Sequence, residues 1–518
     1  MTPLSTTGRT DRAPACASDA DRPVKTHFVG GAHLSPNGYR TGDIYNPSLG
    51  TVQSRVELAD AALVDRAVQS CLAALEPWQA LNPQRRARVL MRLARLIDER
   101  RGEIARLIAS EHGKTLGDAD GEIQRGIEAV EFAGGIPHLM KGEFSDGVGT
   151  GIDTYTMRLP LGVVAGITPF NFPIMIPLWM IGNAVAAGNT FVLKPSEKDP
   201  SVPLLLGELL MEAGAPEGVL NVVNGDKEAV DAILAHPTVK AVSFVGSSDI
   251  AEYVYRTGAA AGKRVQAMGG AKNHMIVMPD ADMEQAVNSL LGAAYGSAGE
   301  RCMALSVVVP VGDDTAERLV DTLKTRVASL TCGPSLDTDS DFGPLVSAAH
   351  LQRVVGYIES GIRDGAKLIV DGRDIAVPGH DGGYYLGPCL FDHVRPEMAL
   401  YRDEVFGPVL SIVRAGGFDE AVRLPSSHQY GNGVAVFTRN GDIAREFARR
   451  VDTGMVGVNV PLPVPVSYYS FGGWKRSAYG GFNQYGPDGV RFFTKTKTVV
   501  TRWPDDLQDA QFVMPTMK

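Results

Sequence analysis

Cys302 lies in Ser297-Ala-Gly-Glu-Arg-Cys-Met303, between a helical stretch and a β-branched run. A thiol so placed could attack an electrophilic carbon, although a lone cysteine is more often a buried, inert side chain. Three other segments sit at the ends of predicted strands. Thr168-Pro-Phe-Asn-Phe-Pro173 precedes an apolar helix, and the Asn171 amide could donate to an oxyanion there. Lys194-Pro-Ser-Glu197-Lys198 ends the next strand, offering cations and a carboxylate to ribose hydroxyls or a phosphate. Phe244-Val-Gly-Ser-Ser248 ends another and opens a helix whose free N–H groups suit a pyrophosphate. Each charge taken singly reads as a surface group. Three consecutive strand-end motifs point instead to one crevice.

Other chemistries lack their signatures. No G-x-G-x-x-G follows a strand and opens a helix. Gly258-Ala-Ala-Ala-Gly262-Lys263 is one residue short of a P-loop, with Arg264 where Ser or Thr should hold magnesium. The histidines have no metal-ligand spacing, so no metal site is expected.

The elements that must position these motifs follow from periodicity. Between 81 and 114, apolar residues at three- and four-residue spacings predict amphipathic helices, and the arginines there read as a solvated face. From 161 onward short β-branched runs alternate with helical stretches. Strands are expected at 163–167, 190–193, 220–223, 241–245 and 275–278, with helices at about 174–187, 202–213, 228–235 and 249–261. Beyond Cys302 the alternation repeats, with a strand at 306–311, helices at 315–330 and 349–361, and strands near 367, 409, 434 and 456. Such βα units predict an α/β fold with two mostly parallel sheets. Two segments, 154–158 and 491–501, read as antiparallel ribbons that add strands to another subunit.

Composition bounds the function. A chain of 518 residues is long enough for two or three domains. A net charge of −9 opposes a nucleic-acid role, and no apolar run reaches membrane-spanning length. Five scattered cysteines without a C-x-x-C pair fit free thiols in a reducing cytoplasm. Residues 1–24 are expected to be a disordered extension.

From about Phe28 to Trp503 the chain resembles the aldehyde dehydrogenase superfamily. The resemblance rests on TPFNFP, KPSE, FVGSS, GGAK, the GERC cysteine loop, EVFGP at 404–408 and FGGWKRS at 471–477, in that order. It implies a Rossmann-type NAD-binding domain (25–145 and 161–272), a second α/β catalytic domain (273–478), a small oligomerisation flap of β-strands (146–160 and 479–505) and a tail (506–518). It also implies roles. Cys302 would be the nucleophile, with Asn171 and the Cys302 backbone N–H forming an oxyanion hole. Thr168, Phe170, Lys194, Glu197, Lys198, Gly246 and Ser247 would line the cofactor site, Glu404 would hold the nicotinamide ribose, and Phe406 would position the ring. A carboxylate at Glu197 would favour NAD over a 2′-phosphorylated cofactor.

One position departs from the pattern. Hydrolytic members of that superfamily place a water-activating glutamate four residues before the lysine of their E-L-G-G-K motif. Counting back from Lys272 gives Met268, and a thioether is no base. Coenzyme A, whose thiol needs less help than water, offers another exit for an acyl group on Cys302. The stretches VQAMGGAKNH, GSAGERCMA and QYGPDGVRF resemble the CoA-acylating methylmalonate-semialdehyde dehydrogenase branch. That resemblance implies malonate or methylmalonate semialdehyde as substrate, NAD and CoA as co-substrates, carbon dioxide loss, a homotetramer built as a dimer of dimers, and a place in valine, β-alanine or inositol breakdown. Arg301 and Arg125 would grip the substrate carboxylate. Arg125 reads equally well as a surface partner of Glu122 or Glu128. The rival readings are a hydrolytic semialdehyde dehydrogenase and a retired nucleotide-binding or structural protein.

Overall fold

The structure, a computed structural model, describes residues 22–149 and 151–502. The expected tail at 506–518, and all but the last three residues of the expected extension, lie outside these. Val24–Lys25 is a strand paired with Arg55 and Val56, so ordered structure begins before residue 25.

Five parallel strands form the centre of an eight-stranded sheet, in the order Arg264–Met268, Val239–Val245, Val163–Ile167, Thr190–Lys194 and Leu220–Val222. Short antiparallel strands extend it at both ends, Ala478–Tyr479 on one side, Phe28–Val29 and Ala32–His33 on the other. The strands 163–167, 190–194 and 220–222 are buried throughout, as a sheet covered on both faces requires. One cover, the helix Met175–Ala186, is buried on every side. The chain winds from Val163–Ile167 outward through 190–194 and 220–222, then returns to add 239–245 on the opposite side. That reversal opens a crevice beyond the carboxyl ends of the central strands.

A seven-stranded sheet follows the same logic, in the order Lys367–Val370, Cys389–Asp392, Val409–Ile412, Leu305–Pro310, Asn273–Val277, Gly433–Phe437 and Met455–Val458, all parallel except the first pair. Its apolar core is separate from that of the first sheet. Met268, Met303 and Phe471 join the first core, and Cys302 packs against it, so the cysteine loop sits between the sheets.

The two expected ribbons pair with each other. Thr494–Arg502 runs antiparallel to Ile152–Pro160, which also pairs with Phe144–Gly149. The second segment of the expected flap, 479–505, is not all ribbon. Ala478–Tyr479 belongs to the large sheet, and Gly486–Phe492 is a helix, with Pro487 in its first turn and Val490 and Phe492 buried. Arg491 therefore lies in that helix rather than in a strand. The P-loop-like run has a structural role, since Lys263 donates to the carbonyls of His236 and Val239.

Candidate active site

Cys302 sits at the end of a strained turn. Ser297 and Ala298 both have φ of 53°, the left-handed region that a Cβ disfavours, and Gly299 follows at 72°. The turn is tied down from several sides. The Cys302 carbonyl accepts from Asn273 Nδ2 at 2.9 Å and Asn432 Nδ2 at 3.1 Å, and the Ser297 N–H donates to Asp118 Oδ2 at 2.9 Å. Cys302 as a residue is partly exposed, yet burial pushes its thiol up to about 12, the Glu404 carboxylate adding to the effect and Arg301 opposing it.

Asn171 follows the strand Val163–Ile167 and is 3% exposed. Its Nδ2 donates to the Glu300 carbonyl at 3.1 Å, which leaves a second N–H beside the cysteine loop. Its own carbonyl accepts from Lys114 Nζ at 2.6 Å. Lys114 in turn pairs with Glu122 at 2.7 Å, both side chains being at most 1% exposed. Glu122 Oε1 also accepts from Ile174 N and Met175 N, serving as the cap that the helix Met175–Ala186 otherwise lacks. A buried ion pair thus holds the oxyanion candidate Asn171 against the Cys302 loop.

In front of Cys302 opens a cavity of about 280 Å³. Phe172, Met175, Trp179, Leu462, Val464 and Phe471 give it an apolar wall, while Asp118, Arg125 and Arg301 bring charge. Arg301 pairs with Asp118, and Arg125 Nη1 donates to Glu128 at 3.1 Å. Of the two surface partners considered for Arg125, Glu128 is engaged. Glu122 is fully buried with Lys114 instead.

Met268 ends the strand Arg264–Met268 at 5% exposure and shares the apolar cluster on which Cys302 packs. No carboxylate stands at this position. Lys272 Nζ binds the carbonyls of Leu400 and Asp403 at 2.6 and 2.9 Å, fixing the turn before Glu404.

At the strand ends, Thr168 is 4% exposed with an unpartnered hydroxyl, and the buried Lys194 Nζ lies 3.5 Å from Glu197 Oε2. The Gly246 N–H is already spent on the Met268 carbonyl at 3.1 Å, so it is not a free anion donor. Ser247 takes the N-cap position of the helix Ser248–Ala260 without a side-chain bond to it. Lys198 Nζ stands 4.8 Å over the Phe170 ring, which meets Phe406 edge-on at 6.0 Å. Glu404 Oε1 accepts from Ala271 N at 2.9 Å, and burial raises its carboxyl to about 7. A Cβ on Gly270 would lie 2.3 Å from Glu404 Oε2, so glycine is what admits this carboxyl to the loop. Within the cysteine loop, Glu300 is fully buried with Oε1 accepting from Val346 N at 3.2 Å, and burial raises its carboxyl to about 8.

Residues 33–499 match the aldehyde dehydrogenase family. The chain belongs to that family. It is 53% identical over 493 residues to the malonate-semialdehyde dehydrogenase of Pseudomonas aeruginosa, spanning 95% of this chain and 99% of that one. Against the malonate-semialdehyde dehydrogenase of Halalkalibacterium halodurans the identity is 47%, over 92% of this chain and 98% of the other. A crystal structure described as methylmalonate-semialdehyde dehydrogenase from Sinorhizobium meliloti, complexed with NAD, superposes with a TM-score of 0.93 at 56% identity, over 95% of this chain and all of that one. Methylmalonate-semialdehyde dehydrogenase from Oceanimonas doudoroffii gives 0.92 at 54% identity, over 93% and 99%.

The aldehyde dehydrogenase fold accounts for the two parallel sheets and the crevice between the motifs. A dinucleotide fits the donor set there, since Thr168 Oγ1 is buried without a partner and Lys194 is a buried cation beside a carboxylate. Among the described residues no group of three or more His, Cys, Asp or Glu could hold a metal ion. None of their helices is long and apolar enough to cross a membrane, and Cys71, Cys302, Cys332 and Cys389 are free thiols.

Lys114 and Asp118 are functional candidates that the sequence reading missed, and Glu122 entered it only as a surface charge. Asp118, Glu122 and Arg125 lie four and then three residues apart, on one face of the helix Leu116–Gly134, with Gly117 and Gly121 beside them at the cavity. A charged face broken by glycines, where a solvated helix would carry Ala, Lys or Glu, was the available signal.

Proposed function

We propose that this chain oxidises malonate or methylmalonate semialdehyde with NAD and passes the acyl group, after loss of carbon dioxide, to coenzyme A, giving acetyl-CoA or propionyl-CoA. The observation that carries the reading is Met268. A buried thioether occupies the position from which hydrolytic relatives activate water, in the apolar cluster that packs on Cys302.

The residues divide the work. The Cys302 thiolate attacks the aldehyde carbon, and the oxygen's developing charge is met by the second Asn171 Nδ2–H and the Cys302 backbone N–H. Thr168, Lys194, Glu197 and Glu404 hold the dinucleotide, with Phe170, Lys198 and Phe406 shaping the ring's surroundings; bound there, NAD accepts the hydride leaving the aldehyde carbon. Glu197 favours free ribose hydroxyls over a 2′-phosphate. Arg301 and Arg125, which line the cavity, bind the substrate carboxylate. In the resulting Cys302 thioester that carboxylate is β to the carbonyl. The bond from the α-carbon to that carboxylate breaks, its electron pair forms the enolate double bond as charge moves to the carbonyl oxygen, and Asn171 stabilises that oxygen. After protonation of the α-carbon, the CoA thiolate displaces Cys302.

Exposed Phe144 (65%) and Val500 (62%) on the three-stranded sheet support its burial between subunits; we infer a cytoplasmic homotetramer arranged as a dimer of dimers. The deciding experiment identifies products from both semialdehydes with and without CoA. Acyl-CoA, carbon dioxide and NADH in equal amounts are expected. NADH formed through many turnovers without CoA would instead establish the hydrolytic reading.

A further inference from the structure

Asp118 joins two parts of the substrate pocket through one carboxylate. Oδ2 accepts from the Ser297 N–H at 2.9 Å, and Oδ1 pairs with the Arg301 guanidinium. The Asp118 and Arg301 side chains are 17% and 21% exposed, and both line the cavity in front of Cys302. Asp118 stands in the first turn of the helix Leu116–Gly134, whose cap is the Thr115 hydroxyl. It therefore reaches the cysteine loop from a rigid element. The loop needs such a tie, because Ser297 and Ala298 are held in left-handed backbone. Arg301 lies close against the same turn, since a Cβ on Gly296 would meet three guanidinium atoms at 2.7–2.9 Å.

Arg125 at the same cavity is paired too, with Glu128. Each arginine available to a substrate carboxylate therefore already has a carboxylate of its own. A site selected only for grip would leave them unpaired, because charge-assisted bonds to a lone guanidinium are stronger. The reaction proposed above, on which this inference rests, destroys the carboxylate it binds. Cleavage of the carbon–carbon bond moves the negative charge to the thioester oxygen and releases neutral carbon dioxide. The α-carbon then takes a proton from water. An arginine bound to the substrate alone would stabilise the state before cleavage and be left as a part-buried lone cation afterwards.

We propose that Asp118 is a positioning and specificity-determining residue that fixes Arg301 and the Ser297–Ala298 turn and, as a standing counter-ion, loosens the hold of Arg301 on the substrate carboxylate so that it can leave as carbon dioxide.

Asp118→Asn keeps an oxygen for the Ser297 N–H and removes the charge. Its KM for malonate semialdehyde relative to that for propanal, at saturating NAD and CoA, should fall on the order of tenfold, the effect of one partly screened charge at contact distance. Carbon dioxide per NADH should fall below one, with malonyl-CoA making up the difference. A purely structural role would move both KM values together. An unlowered KM ratio, or carbon dioxide still equal to NADH, overturns the proposal. Asp118→Ser, smaller and also uncharged, is read by the same two quantities if the asparagine variant does not fold. Carbon dioxide release by the unaltered enzyme is measured first, and its absence would refute the reaction itself rather than the role of Asp118 within it.

Discussion

The cofactor crevice and the acyl pocket are built by different means. The crevice collects residues that follow parallel strands, Thr168 after Val163–Ile167 and Lys194 at the end of Thr190–Lys194, so strand order alone brings them together. The acyl pocket takes Lys114, Asp118, Glu122 and Arg125 from a helix and its approach, and Cys302 from a strained turn between the sheets. Sheet topology supports the first. Buried charge supports the second, because Lys114 and Glu122 hold Asn171 at the boundary between them. Damage to the pocket should therefore abolish chemistry or weaken the fold, whereas damage to the crevice should mainly alter cofactor affinity.

The sharpest break is at the proposed nucleophile. Cys302→Ala should lower NADH formation at least roughly ten-thousandfold while NAD still binds, as followed by fluorescence titration. A soluble variant with undiminished NADH formation would leave the protein without its assigned nucleophile. Next comes the scaffold. Lys114→Met leaves Glu122 buried without its cation, which should cost about 3–5 kcal/mol, seen as a lower midpoint in chemical denaturation. An unchanged midpoint would mean that the pair adds nothing to the boundary it spans.

A smaller and opposite effect is expected at Met268. Met268→Glu supplies a base at the position where the hydrolytic relatives carry theirs. NADH turnover without CoA should rise about tenfold or more, short of the full general-base effect because burial keeps part of the new carboxyl protonated. If turnover without CoA does not rise, the role proposed for Met268 in preserving a thioester fails.

The same contrast explains what could be read from the sequence. The strands 163–167 and 190–194 announced themselves as β-branched runs, and the motifs after them placed the crevice. Arg264–Met268 did not, because Gln266 interrupts it; its buried amide donates to the carbonyls of Phe482 and Asn483 and accepts from the Ser243 hydroxyl. Gly486–Phe492 combines two glycines with a proline, a local pattern of loops, and becomes a helix by docking on the buried Met175–Ala186, where a Cβ on Gly489 would meet Asn183. The acyl pocket was least legible. Asp118, Glu122 and Arg125 have the spacing of a solvated helix face, and only the packing of Leu116–Gly134 against Met175–Ala186 turns that face inward. Met268 carried information only as a departure from a family pattern.

The mildest test belongs to the crevice and depends on pH. Burial raises the Glu404 carboxyl to about 7, so in the free enzyme it is mostly neutral below that pH and ionised above it. Ribose hydroxyls donate best to the ionised form. The apparent affinity for NAD should then be level above pH 7 and weaken as the pH falls below it, and Glu404→Gln should remove that limb and raise the KM for NAD several-fold at pH 8. Stability follows with a definite sign. A carboxyl whose proton is held more tightly in the folded than in the unfolded chain favours folding at low pH, and that contribution is lost as the pH rises from about 4.5 to 7. Saturating NAD, by hydrogen-bonding the ionised form, should offset the loss and raise the unfolding temperature more at pH 8 than at pH 6. Equal shifts at the two values would mean that Glu404 does not titrate against the ribose, and the contrast between a crevice tuned by protonation and a pocket held by permanent charge would fail at its crevice end.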